Sequence, residues 1–155
     1  MRGYSDINRA TSSCVHFIEN EEIKEDEIDC ILEDLSKKNI KIAYVDCQKI
    51  IENADSFCDA VAIAINAENS PYGEEHWIRL LDDMISLSKK NAGLVLVIDN
   101  ANLLFKSERK KTFDLIEAFL IQFHHWLDKN KPCHLCFQME FNRSVSGKFL
   151  KKSCK

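Results

Sequence analysis

Leu94-Val-Leu-Val-Ile-Asp99 is an unbroken apolar run that ends in an acid. A strand with one face in water alternates apolar and polar side chains. A strand apolar throughout is buried on both faces, as happens in a parallel sheet covered by helices on each side. The run therefore asks for a layered α/β fold, and the rest of the chain has to supply the neighbouring strands and their covers.

Hydrophobic spacing supplies both. Cys14-Val-His-Phe-Ile18 and His134-Leu-Cys-Phe-Gln-Met139 are short apolar runs, and Ile40–Asp46 alternates with a period of two. Between them lie helical stripes. One carries Ile28, Ile31, Leu32 and Leu35. A second carries Phe57, Cys58, Val61, Ala62 and Ile65, with Asn53 or Asp55 expected to cap its start. A third carries Trp77, Leu80, Leu81, Met84 and Ser88, stopped by Asn91-Ala-Gly93. The last, from Lys111 to Lys129, presents Phe113, Ile116, Leu120, Phe123 and Leu127, widened by Leu115, Phe119 and Trp126, and Pro132 closes the turn beyond it.

The expected order is β-α-β-α-α-β-α-β, a small α/β domain with a mostly parallel four-stranded sheet. A chain of 155 residues with only 4 Gly and 2 Pro suits one packed unit. We read residues 1–12 as an N-terminal tail, 13–140 as the domain and 141–155 as a basic C-terminal tail. No apolar stretch approaches the roughly 20 residues of a bilayer span, and the first residues lack a signal-type apolar region. The expected location is the cytoplasm. Seven cysteines without regular spacing agree with reduced thiols there.

Chemical motifs are sparse. Cys133-His-Leu-Cys136 has the CxxC spacing, but a structural zinc site needs a second pair of ligands, and residues three apart on a strand face opposite ways. Leu94–Asn100 resembles the magnesium-holding strand of P-loop ATPases, yet the glycine-rich phosphate cradle is missing. Where that loop would follow the first strand, the chain reads Glu19-Asn-Glu-Glu-Ile-Lys-Glu-Asp-Glu27, which repels phosphate. Asp82-Asp83 and the set His124, His125 and Asp128 come with no recognisable nucleophile. No cofactor and no metal are expected, and no enzymatic activity. Lys106, Arg109, Lys110 and Lys111 read as a solvated helix entrance. A net charge of −4 offers no general attraction to nucleic acid, and no direct nucleic-acid or membrane contact is expected.

The remaining feature is Glu68–Asp83, with five carboxylates, a Tyr-Gly turn and a Trp. An acidic loop and helix bearing aromatics suits docking onto a cationic cleft, because aromatics anchor and charge accelerates encounter. Here the chain resembles the barstar family of intracellular ribonuclease inhibitors. Tyr72-Gly73 is followed by His76-Trp-Ile-Arg-Leu-Leu-Asp-Asp-Met84, in which Trp77, Leu80 and Asp82 match the family's helix signature. Tyr44-Val-Asp46, Phe57, Leu94–Asp99, Trp126 and Lys131-Pro-Cys-His-Leu135 extend the likeness. His76 stands where the family has Asn, and Ile78 replaces the first of its two helix acids.

The resemblance implies an inhibitor or immunity protein that covers the basic cleft of a nuclease-type toxin with the turn and helix around residues 71–83. Tyr72, Gly73, Glu75, His76, Trp77, Asp82 and Asp83 would make that contact, with Asp82 standing in for a substrate phosphate. The alternative is a degenerate P-loop-like regulatory or assembly module without ATPase activity. Strand order bears on the choice, since the ATPase pattern keeps its first strand central and the inhibitor pattern leaves residues 14–18 as an added outer strand.

Overall fold

The computed structural model describes residues 4, 7–20, 25–53, 56–73 and 75–140. The elements run β1 (Val15–Glu19), α1 (Glu25–Lys37), β2 (Ile40–Asp46), α2 (Cys47–Asn53), α3 (Phe57–Ala64), α4 (Trp77–Lys90), β3 (Gly93–Asp99), α5 (Ala101–Ser107), α6 (Arg109–Leu127) and β4 (Cys133–Met139). The four strands form one sheet in the order β1-β4-β3-β2, and every pairing is parallel. This is the α/β architecture that the apolar run of β3 demands. The first six residues of β3, Gly93 to Ile98, are all buried.

The two faces are unequal. On one, α2, α3, α4, α5 and α6 build the larger core around Ile50, Phe57, Leu80, Met84, Leu104, Phe119 and Trp126. The other face holds a smaller cluster of Ile18, Leu35, Ile40, Val95, Val97 and Cys136, joined by Tyr4 and Ile7 from ahead of β1. The cause is topological. β1 and β2 are the two edges of the sheet, and among the described helices the crossover between them places only α1 on the second face.

Helix ends use asparagine where glycine is scarce. Asn39, Asn66 and Asn130 follow α1, α3 and α6 with φ of 58°, 56° and 55°. Asparagine tolerates the left-handed region better than other side chains that carry a Cβ. After α3 and α6 the chain closes with Ala67 N–H to Ala62 O and Lys131 N–H to Trp126 O, both at 2.9 Å.

Several expectations need correction. Two short helices, α2 and α5, follow the ends of β2 and β3 and are too brief to show a stripe. The cap of α3 is Ser56, whose hydroxyl accepts the Asp59 N–H at 3.3 Å; Asn53 ends α2, and Asp55 lies outside the described residues. Gly93 does not stop α4 but opens β3, where a Cβ would meet the Pro132 ring and carbonyl at 2.8 Å. In α6 the stripe is rotated: Phe113 and Leu120 are 56% and 44% exposed, while Leu115, Phe119 and Trp126 are fully buried. The buried row includes Thr112 and Gln122, polar residues that hid it from an apolar count. Gln122 is satisfied inside, accepting from Trp126 Nε1 at 2.8 Å and donating to Phe119 O at 3.2 Å.

Candidate functional site

The segment from Tyr72 to Asp83 is built into the fold by its own acids. Glu75 sits beside the first turn of α3, where the backbone N–H groups lack partners within the helix. Its carboxylate accepts the Phe57 N–H at 3.0 Å, the Cys58 N–H at 3.2 Å and the Ser56 hydroxyl at 3.0 Å. Lys111 Nζ approaches the same carboxylate at 3.8 Å, which gives one of the cations at the start of α6 an acidic neighbour. Asp59 holds the turn from the other side, accepting the Tyr72 N–H at 2.6 Å and the Gly73 N–H at 3.1 Å. Gly73 has φ +84°, and no atom would crowd a Cβ there, so glycine serves backbone conformation alone.

The Tyr72 hydroxyl donates to Asp83. Burial raises its pKa above the usual tyrosine value, and the neighbouring Asp83 carboxylate adds to the effect. Trp77 lies edge-on to Phe57 with ring centroids 6.0 Å apart, packed against the main core yet only partly buried. His76 meets Tyr72 ring to ring at 6.4 Å. Asp82 and Ile78 point outward, and Ile78 is 80% exposed. Trp77, Ile78 and Leu81 face Ala118 and Ile121 of α6 across a shallow groove of about 300 Å³. The fold thus joins Tyr72, Gly73, Glu75 and Asp83 to internal partners, and leaves Asp82 at the surface.

A second constellation lies at the C-terminal ends of β2 and β3, where open α/β sheets place their ligand crevices. Asp46 and Asp99 are register partners there. Asn100, in the left-handed region at φ 52°, donates its side-chain amide to Asp46 at 2.9 Å and its backbone N–H to Asp99 at 2.8 Å. Asp46 also accepts the Gln48 N–H at 3.0 Å, and the Tyr44 hydroxyl donates to the second Asp99 oxygen. Burial raises the Tyr44 pKa, and Asp99 and Asp46 push it further. Both oxygens of Asp99 are engaged by the protein itself.

Sequence reasoning singled out Asp99 but missed its partners Tyr44, Asp46 and Asn100, because register across β2 and β3 is needed to pair them. It also missed Asp59. A carboxylate in the first turn of α3 was the available signal, yet nothing local tells that the acid serves a turn thirteen residues ahead. Cys133 joins the main core and Cys136 the smaller cluster on the opposite face, as strand alternation requires. Among the described residues no group of three or more His, Cys, Asp or Glu could hold a metal ion, and no helix is long and apolar enough to cross a membrane.

Neither a family model nor a curated protein sequence matches the chain. Among solved structures it is similar in fold to a chain in the structure of Drosophila ORC bound to DNA, with a TM-score of 0.54 and 10% identity. The likeness covers 90% of this chain and 35% of that one, so this chain spans about a third of the length of the chain it matches.

Proposed function

We propose that the chain is a degenerate P-loop-like regulatory or assembly module without ATPase activity, working within a larger assembly that binds DNA. The observation that carries this reading is the state of Asp99. It ends the central β3 strand, where an acid of a nucleotide site would stand, but both its oxygens are taken up by Asn100 and Tyr44. Sequence supports the same reading, since the β1–α1 connection is Asn20-Glu-Glu-Ile-Lys24, with no glycine to present amides to a phosphate. The fold likeness to the ORC chain extends over 90% of this chain and adds to the reading, while β1 lies at an edge of the sheet.

The test has two parts. Titration calorimetry with magnesium ATP should give no heat of binding at micromolar protein. The tagged chain recovered from its own cells should be held stoichiometrically in a complex of several subunits. Micromolar ATP affinity, or recovery as a one-to-one complex with a single nuclease, would refute it.

The second reading is the inhibitor of a nuclease-type toxin, and the edge position of β1 favours it, because that is where the inhibitor pattern places residues 14–18. In this reading Asp82, exposed on α4, enters the basic cleft, and Trp77 and Tyr72 flank it. Removing a carboxylate that pairs with buried cations costs about 2 to 5 kcal/mol of binding. Asp82→Ala should therefore abolish protection against the cognate toxin while Asp83→Ala loses less. Equal and negligible losses would sink this reading.

A further inference from the structure

Among the described residues, the face covered by α1 with Tyr4 and Ile7 is incompletely filled. A cavity of about 310 Å³ lies between α1 and the sheet, with Val95 and Val97 as its floor and Ile28, Ile31 and Leu35 as its wall. That volume is at the small end of ligand pockets, about 300 Å³, and suits one or two side chains. It opens where Leu32 and Tyr44, both lining it, are 40% and 55% exposed. Its polar lining groups are already paired, Tyr4 with Gln138 and Tyr44 with Asp99, so the interior offers an occupant apolar contact only.

The surroundings are mostly acidic, with Lys37 and Lys38 paired to Glu33 and Asp34 at the end of α1. α1 reads Glu25-Asp-Glu-Ile-Asp-Cys-Ile-Leu-Glu-Asp-Leu-Ser-Lys37, six acids against one base; the exposed Asp29 flanks the apolar wall at helical spacing, whereas Asp26 and Glu33 lie on the far side of the helix, Glu33 paired with Lys37 at 2.8 Å. Asp46 and Asp99 stand at the Tyr44 end, and their charges act on Tyr44. An apolar pocket framed by carboxylates selects for a large apolar side chain flanked by cations, since the first gains burial and the second gains complementary potential.

We propose that this cavity is a docking site for a partner protein segment that inserts a Phe or Leu side chain and lays Lys or Arg residues along α1. The site lies on the opposite face from the α4–α6 groove and does not depend on either functional reading.

Fluorescence anisotropy of the full chain with a labelled decapeptide, Phe-Leu at its centre and four lysines around it, tests the assignment. The peptide should bind. Replacing Phe-Leu with Ala-Ala, or the lysines with glutamates, should each weaken binding by about tenfold or more. Raising salt from about 50 to about 300 mM should also weaken it. Leu32→Asp, at the partly exposed mouth, should reduce affinity similarly, and methyl NMR shifts of Ile31 and Val97 in the unaltered chain give a readout that needs no variant. Equal binding of the glutamate peptide would overturn the charge selection, equal binding of the Ala-Ala peptide would overturn the apolar anchor, and methyls unmoved on binding would place the contact elsewhere.

Discussion

The carboxylate of Glu75 accepts the backbone N–H of Phe57 at 3.0 Å, and through that bond the loop before α4 completes the first turn of α3. Two further donors, the Cys58 N–H and the Ser56 hydroxyl, converge on the same group. A residue eighteen positions downstream thus does what a local capping side chain usually does. Hydrogen bonds to a charged group contribute about 1.5 to 3 kcal/mol each, less where water competes. Glu75→Ala should lower stability by about 2 kcal/mol, and Glu75→Gln by about half as much. Urea midpoints measure both, and an unchanged midpoint for the alanine variant would show that the cap contributes nothing.

Asp59 and the Tyr72–Gly73 turn form the reciprocal tie, helix to loop. Asp59→Ala should leave the sheet intact and loosen the turn. Amide hydrogen exchange at Tyr72 and Gly73 should accelerate by about tenfold, corresponding to about 1.4 kcal/mol of local opening energy, with β3 amides unaffected. Uniform acceleration across the chain would mean that the tie is global instead.

Gly93→Ala tests a close approach. The new Cβ would lie 2.8 Å from both the ring and the carbonyl of Pro132, and 3.1 Å from Ile40. The carbonyl in question also accepts the Leu94 N–H at 2.9 Å, so the neighbour cannot yield without disturbing the start of β3. Overpacking of this kind costs about 1 to 3 kcal/mol. A thermal melt of the variant measures it, and a melt superimposed on that of the parent would contradict the argument.

The thiols make stability depend on alkaline pH. Burial pushes Cys136 up to about 12 from its ordinary value of 9.0, and Cys47 and Cys58 also to about 12, the first with help from Asp46. A group that binds its proton more tightly when folded contributes stability that is complete below the unfolded pKa and fades as pH rises toward the folded one. The urea midpoint should therefore hold steady up to about pH 8.5 and fall above about pH 9. Iodoacetamide at about pH 8 should label Cys30, which is exposed, ahead of Cys14, Cys47, Cys58, Cys133 and Cys136, which are buried. Equal labelling rates before unfolding would refute the burial argument.

Much of the architecture was legible in periodicity. The apolar run of β3, the alternation of β2 and the stripes of α1, α3 and α4 report which side chains avoid water, and that property is written residue by residue. It points to a mostly parallel four-stranded α/β sheet, and the αL asparagines after α1, α3 and α6 are equally local signals. The face of α6 was misread because Thr112 and Gln122 are buried polar residues whose partners, Trp126 and the carbonyls of Phe119 and Glu108, are known only once the helix exists.

Strand order, by contrast, belongs to the tertiary structure. The sequence by itself determined that four strands would seek burial, since the hydrophobic effect acts on each side chain where it stands. Which strands lie side by side depends on contacts among residues far apart in the chain, and β4 lies between β1 and β3. The same long-range closure decided that Glu75 caps α3, that Asp99 is engaged by Tyr44, and that α1 is the one described helix over the second face, with a cavity beneath it. Hydrogen bonds and cavities are properties of pairs and surfaces brought together in space, so they follow from the crossovers and not from the local pattern of the sequence.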